Sequence, residues 1–525
     1  MKRFILKFWP YGLLLVIIGL SAFLRLNQID KYMTFLGDEG RDVLIVKRMI
    51  IDHKWTLLGP TASVGGFFMG PIYYYFMMPF LWASNLNPVG PAIGVALVGI
   101  LTNALVYLVG ARWFSRRVGF IAAALYAISP LIISYSRSSW NPNIIPFFSL
   151  LSMYLMWLSI VQKKGYLLLF VGIASGIGIQ LHYTYLFFLF GAVLFLGMNR
   201  NSFSVKDYAL GIAGILIGFS PFLAFELRHG FSNTIAIFQF ITSGKDTGFQ
   251  VSSFITTAFD ILYRLFARLV LRLPDAGQLS EVSKSTQNVW FISGVFLTVA
   301  GVSSLVAGVW SGKVRSFFFG KTTDQKDKRR ALAFQMMAAI VGSLILLFGL
   351  YKKNIYDYYF GIVYPLPFIL TAQFCDIFLI RKVLKYVGMI FVGGLIVFNL
   401  MGQPFQHAPN NQLGQMQHVA RVVATLAGDN PYNFALITGG NSDHAYRYFL
   451  ELWGKSPTTI EYEGADPDRK TVTDQLIVVC EDISCRPLGH SLWEIAGFGR
   501  AEVVEERDVS VVKVFKMKHY EGEQK

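Results

Sequence analysis

Hydrophobic runs without a charge, each long enough to enter the ~30 Å hydrocarbon layer of a bilayer, recur from Phe8 to the residues before Gln403. No other feature restricts the fold as strongly. Backbone in lipid must satisfy its own hydrogen bonds, which leaves helices as the economical solution for runs of this kind. The sequence therefore predicts an all-α polytopic membrane protein. Charged residues make up 15% of the chain, against about 25% in soluble domains. A basic head, Lys2-Arg3-Lys7, precedes the first run, and no small-residue cleavage site follows before Arg25. The reading is a retained first helix entering from the cytoplasm.

Charge among the loops sets the expected topology. Phe67–Ser84 is uncharged, but counting it as a crossing would put nearly every later basic loop outside. Its prolines (Pro71, Pro79), Tyr73-Tyr74-Tyr75 and Trp82 suit a helix lying in the headgroup zone. The spans are then Phe8–Leu24, Val89–Ala111, Val118–Tyr135, Ile144–Val161, Gly165–Leu181 and Tyr183–Met198. Tyr208–Phe225, Val289–Trp310, Leu332–Leu350, Tyr358–Cys375 and Tyr386–Met401 complete the set, about eleven in all. Arg112, Arg116 and Arg117, then Lys163-Lys164, Arg200 and Lys206, fall inside. So do Lys313, Arg315, Lys321, Lys326, Lys328, Arg329 and Arg330, and finally Arg381-Lys382. Only Lys352-Lys353 breaks the rule.

The formal charge of +15 hides a division at 403/404: 12 basic and 17 acidic residues follow it, 35 basic and 15 acidic precede it. Basic excess confined to membrane loops is topology information, so nucleic-acid binding is not implied. Residues 1–403 are expected to form the membrane domain and 404–525 a small extracytoplasmic α/β domain. Helical patterns fall at Met416–Leu426, Asp443–Trp453 and His490–Ala496. Strand-like runs fall at Phe434–Thr438, Thr458–Tyr462, Gln475–Cys480 and Val509–Lys516. The three cysteines, Cys375, Cys480 and Cys485, have no metal-site or redox-motif spacing. Cys480 and Cys485 could pair on an oxidising outer face.

Candidate chemistry gathers at the outer ends of spans. Leu36-Gly37-Asp38-Glu39-Gly40-Arg41-Asp42 follows the first span, with Asp38 and Asp42 on one helix face and Arg41 beside Asp38. A plain helix start would also explain it. Asp38 would then be the N-cap, and Val43, Leu44, Val46 and Met49 would rest on the bilayer. Arg137, Asn141, His182, Arg228, His229, Lys352 and Lys353 share the outer side. Cations bind phosphate and a carboxylate accepts a proton, which suits a reaction on a polar group carried by a phosphorylated lipid. Simpler roles compete: an anchor snorkelling to headgroups for Arg137, a polar turn for His182, a helix-end charge cluster for Glu226–His229. Gly-rich phosphate loops and Ser/His/Asp spacing are absent.

Several segments in order carry a resemblance. Gly37-Asp38-Glu39-Gly40-Arg41 is followed by Gly70-Pro71-Ile72-Tyr73-Tyr74-Tyr75. Ala111-Arg112-Trp113-Phe114-Ser115-Arg116-Arg117-Val118-Gly119, Ser129-Pro130 and Tyr135-Ser136-Arg137 come next. Over roughly residues 1–400 the chain resembles the GT-C membrane glycosyltransferases, in particular the branch of protein O-mannosyltransferases and lipid A aminoarabinose transferases (glycosyltransferase family 39-like). The resemblance implies a GT-C-like bundle with interfacial helices in the first outer loop. It implies Asp38 as the residue acting on the acceptor, supported by Glu39, with Arg41, Asp42, Arg137, Asn141, His182, Lys352 and Lys353 at the substrates. The donor would be a polyprenyl-phosphate sugar and the acceptor an extracytoplasmic protein, lipid or glycan. The resemblance fixes no cofactor, and a divalent cation at Glu39 stays open. Met69-Gly70 and Asn141 depart from the family pattern and leave metal and acceptor open.

The expected activity is inverting sugar transfer at the plasma membrane. A lipid-linked saccharide flippase would instead carry internal repeats and charges at mid-bilayer depth, and neither stands out. A polysaccharide ligase of related fold, using a lipid-diphosphate donor, is the other alternative.

Overall fold

A computed structural model of the protein describes residues 2–62, 65–274, 276–318, 324–482 and 484–522. The side chains of Lys2, Arg3, Lys7, Lys313 and Arg315, and all of Lys321, lie outside the described residues. Compactness divides the chain otherwise than at 403/404. One unit is Met1–Asn27, Thr56–Phe76 and Ala92–Ala408; the other is Gln28–Trp55, Met77–Pro91 and Pro409–Lys525.

The first unit is helical, and each of the eleven apolar runs lies in a helix or a broken helix. Among the described residues five helices are long and apolar enough to cross a membrane: Val89–Trp113, Asn141–Val161, Val205–Arg228, Lys284–Ser311 and Gln325–Phe348. Asp357–Val363 and Pro365–Leu379, bent by 62°, make a sixth if taken together. Pro10–Leu26, Gly165–Leu181, Tyr185–Met198 and Lys385–Leu400 are apolar but shorter, and the run expected at 118–135 breaks at Ser129-Pro130. Proline explains both breaks, because it disfavours helix at the residue before it and starts a new helix well. The chain is a multi-pass membrane protein of mostly helical fold.

The apolar stretch Phe67–Ser84 is helical only from Ile72 to Ala83. Twelve residues rise about 18 Å, too little for a crossing. In the first unit, Tyr73 hydroxyl meets Ser139 Oγ at 2.9 Å and Tyr75 hydroxyl donates to the Thr56 carbonyl at 2.8 Å.

The second unit contains a four-stranded sheet: β1 (Asn433–Ile437), β2 (Gln475–Cys480), β3 (Ala501–Val509) and β4 (Val512–His519). Its order is β1-β2-β4-β3, with β1 and β2 parallel and the other pairs antiparallel. One face buries Ala435, Ile437, Leu476, Val478, Phe515 and Met517 against Ile460, Ile495 and Phe498. Helices Gln412–Ala427 and His444–Leu452 belong to the same unit. Thr458 forms only an isolated bridge to Asn433, so the expected strand at 458–462 is absent. Helix at 490–496 is confined to Trp493–Ala496. Cys480 and Cys485 are joined by a disulfide. The first loop folds onto this domain: Asn411 N–H donates to the Lys31 carbonyl at 2.9 Å, and Phe35 N–H donates to Gln412 Oε1 at 3.1 Å.

Candidate functional site

The candidate side chains form two groups, one in each unit. The acidic group sits on the helix Gly37–Ile51. Leu36, in extended conformation, is the N-cap, so Asp38 is not. Glu39, three residues on, reaches back to accept the Leu36 N–H at 3.1 Å, the reciprocal half of a capping box. Leucine supplies no side-chain oxygen, and Asn441 takes that place: its Oδ1 accepts the Gly37 N–H at 2.8 Å. Both carboxylates lie where the helix dipole favours negative charge.

Burial separates the acidic residues. Asp38 has 56% of its side chain exposed, whereas the Asp42 side chain is fully buried. Arg41 bridges them, with Nη1 2.9 Å from Asp38 Oδ1 and Nη2 2.8 Å from Asp42 Oδ1. Glu39 is buried, and burial pushes its carboxyl up to about 7. Backbone N–H groups at Leu36 and Glu39 pull the other way, and the charges of Asp38 and Asp42 add to the rise. Glu39 is thus a helix-capping group, and Asp38 is the carboxylate open to solvent. The guanidinium already between Asp38 and Asp42, and the capping duty of Glu39, do not suit this set to a divalent cation.

Val43, Leu44, Val46 and Met49 are buried. They do not rest on a bilayer, because the helix packs on His444–Leu452 within its own unit. The glycines set the approach. A Cβ on Gly37 would stand 2.1 Å from Ser442 Oγ, and one on Gly40 2.3 Å from the Ala445 nitrogen. Arg48 and Lys47 meet Glu451 at 2.6 and 3.1 Å further along. His444 Nδ1 lies 2.8 Å from Ser442 Oγ. Burial holds its ring below the usual range, with Asp443 and Asp38 acting against Arg41 and Arg447.

The membrane unit carries the second group, around the turn after Leu168–Leu181. Thr184 N–H donates to His182 Nδ1 at 3.2 Å, which leaves the proton of the neutral ring on Nε2. Burial pushes this ring down to about 4, so His182 is a neutral donor and no cation. Asn141 Nδ2 donates to the Leu181 carbonyl at 2.5 Å and fixes the turn. Gly70 N–H donates to the Gln180 carbonyl at 3.2 Å. Rings of Tyr358 and Tyr359 lie 5.7 and 5.2 Å from His182, and Trp140 lies 4.5 Å from Tyr358.

Arg137 is placed apart in its bonding. It is buried, donates to the carbonyls of Leu24 and Asn27 at 2.9 and 2.7 Å, and so caps the first helix. Lys352 Nζ donates to the Gly244 carbonyl at 3.2 Å, and Lys353 pairs with Asp246 at 3.1 Å. Sequence reasoning missed Arg264 and Arg268, which clasp Asp357. Their four-residue spacing and the Tyr356-Asp357-Tyr358-Tyr359 run were the available signal.

Residues 70–225 match the family model described as dolichyl-phosphate-mannose-protein mannosyltransferase. ArnT from Cupriavidus metallidurans, in a crystal structure bound to undecaprenyl phosphate, aligns over 96% of this chain and 98% of its own, with a TM-score of 0.61. The fold is that of the GT-C membrane glycosyltransferases. Identity to that ArnT is 12%, so the likeness is one of architecture. Archaeoglobus fulgidus oligosaccharyltransferase AglB, in complex with an inhibitory peptide and a dolichol-phosphate, shares the GT-C fold at a TM-score of 0.51 and 13% identity. That alignment covers 90% of this chain and 70% of AglB. No curated protein sequence matches. The matched segment 70–225 contains Arg137, Asn141 and His182, and the acidic helix lies ahead of it.

Proposed function

We propose that the protein transfers a sugar from a polyprenyl-phosphate donor to an extracytoplasmic acceptor, with inversion at the anomeric carbon. The half-exposed Asp38 carboxylate on the first turn of a buried helix carries this reading. Asp38 takes the proton of the acceptor as the acceptor atom attacks the anomeric carbon. The bond from that carbon to the phosphate oxygen breaks, and the lipid phosphate leaves with the electron pair. Arg41 orients Asp38 by tying it to the buried Asp42. In the membrane unit, His182 offers a neutral Nε2–H donor and Lys352 and Lys353 offer positive charge to phosphate. The fold, the family match at 70–225, and the lipid phosphates bound by ArnT and AglB support a polyprenyl-phosphate-linked donor.

Asp38→Asn tests the assignment. The change keeps size and most hydrogen bonding, so the variant should melt normally. Transfer from radiolabelled polyprenyl-phosphate sugars to solubilised acceptors should fall roughly 10²–10⁴-fold, the usual contribution of a positioned proton acceptor. Full transfer by Asp38→Asn sinks the proposal.

A further inference from the structure

The helix that carries Asp38 has its N-terminus completed by the C-terminal portion of the chain. Asn441 Oδ1 accepts two N–H groups, Gly37 at 2.8 Å and Ser442 at 2.9 Å. Its amide nitrogen donates to Glu481 Oε1 at 2.8 Å. Glu481 also accepts the Tyr446 hydroxyl at 2.9 Å and, on Oε2, the Thr438 hydroxyl at 2.7 Å. Three neutral donors thus fix one carboxylate, and the carboxylate fixes the Asn441 amide.

This chain of bonds has a direction. Negative charge on Glu481, drawn to the Asn441 N–H, pushes electron density onto Oδ1, and linked hydrogen bonds of this kind strengthen one another. The strengthened acceptor meets Gly37 N–H, one residue before Asp38. Thr438 and Asn441 follow β1, and Glu481 follows β2. They stand at the carboxyl ends of adjacent parallel strands, where α/β sheets place functional groups. Simple attachment of the helix needs none of this, because Gly40 against Ala445 and Arg48 against Glu451 already hold it.

We infer that Asn441 and Glu481 are positioning residues for Asp38, so that the C-terminal domain sets the geometry of the acceptor's proton-accepting carboxylate. The inference rests on the role proposed for Asp38. It gives the soluble domain a part in the reaction.

The test uses the full chain in nanodiscs and the polyprenyl-phosphate sugar that the wild type turns over. Asn441→Ala should lower kcat by ~10- to 100-fold, the cost of a small misplacement, with donor KM unchanged. Amide exchange at Gly37 should quicken in the same variant. Asn441→Asp faces Glu481 with a second carboxylate and should be impaired too. Adding Glu481→Gln to it restores a donor–acceptor pair in reverse, and should recover both kcat and Gly37 protection. Wild-type kcat in Asn441→Ala beside an inactive Asp38→Asn overturns the inference and spares the proposed reaction. Wild-type transfer in Asp38→Asn with fast Gly37 exchange in Asn441→Ala overturns the catalytic role of Asp38 and, with it, any catalytic purpose of this positioning.

Discussion

Two neighbouring carboxylates, Asp38 and Glu39, differ in environment, for one is open and the other buried. Glu39 binds its proton more tightly folded than unfolded, since burial lifts it from 4.5 to about 7. Stability from this group is therefore full below its unfolded value and is lost as pH rises through the folded one, by about 3 kcal/mol in total. The wild-type melting temperature should fall between about pH 5 and about pH 8. Glu39→Gln imitates the protonated form and keeps a cap, so its melting temperature should stay nearly flat over that range. An equal fall in both proteins would remove Glu39 as the cause. His182 gives the opposite forecast. With its ring near 4 it is neutral at about pH 5.5 and at about pH 8 alike. His182→Gln should therefore lower transfer by one factor at both, and a loss confined to the acidic side would show a charged His182. Adjacency of Asp38, Glu39 and Arg41 was legible in the sequence. Which of them is buried was not, because the covering residues, 441–445, lie four hundred positions away.

Elements were legible where their periodicity was strong. Gln475–Cys480 is a strand as read, and the helices expected at 416–426 and 443–453 form at Gln412–Ala427 and His444–Leu452. β3 escaped notice because Ala501–Val509 is a mostly exposed edge strand with charges along it, and lacks an apolar alternation. The spacing of Val43, Leu44, Val46 and Met49 gives the helix Gly37–Ile51 an apolar face, but periodicity cannot say whether lipid or protein covers it. Its glycines hold that answer. A methyl group on Gly40 would meet the Ala445 backbone, which cannot swing aside as a side chain can. Gly40→Ala should destabilise the packing by ~1–3 kcal/mol despite the better helix propensity of alanine. Thermal melting together with limited proteolysis between residues 28 and 55 would register it. A more stable Gly40→Ala protein would mean that this approach is looser than it stands here.

At the scale of the molecule, we propose the orientation across the bilayer from charge. Lys and Arg in short loops hold those loops in the cytoplasm. If Phe67–Ser84 does not cross, Arg112–Arg117, Lys163-Lys164, Arg200–Lys206 and Arg381-Lys382 all fall on one side. The twelve-residue helix Ile72–Ala83 agrees with that, being too short to span unaided. Single cysteines at Ser115, Lys163 and Lys382 should then label from the cytoplasmic face. Cysteines at Asp30 and His407, and at Asp468 in the C-terminal domain, should label from the outer face. The native Cys375 is buried and the other two are disulfide-bonded, so background labelling should be low. Labelling of Ser115 and Asp30 from the same face would mean that one more segment crosses between them. Every basic loop up to Lys382 would then change sides, while Asp38, which precedes that segment, would stay on the face of Asp30 and keep the proposed acceptor there.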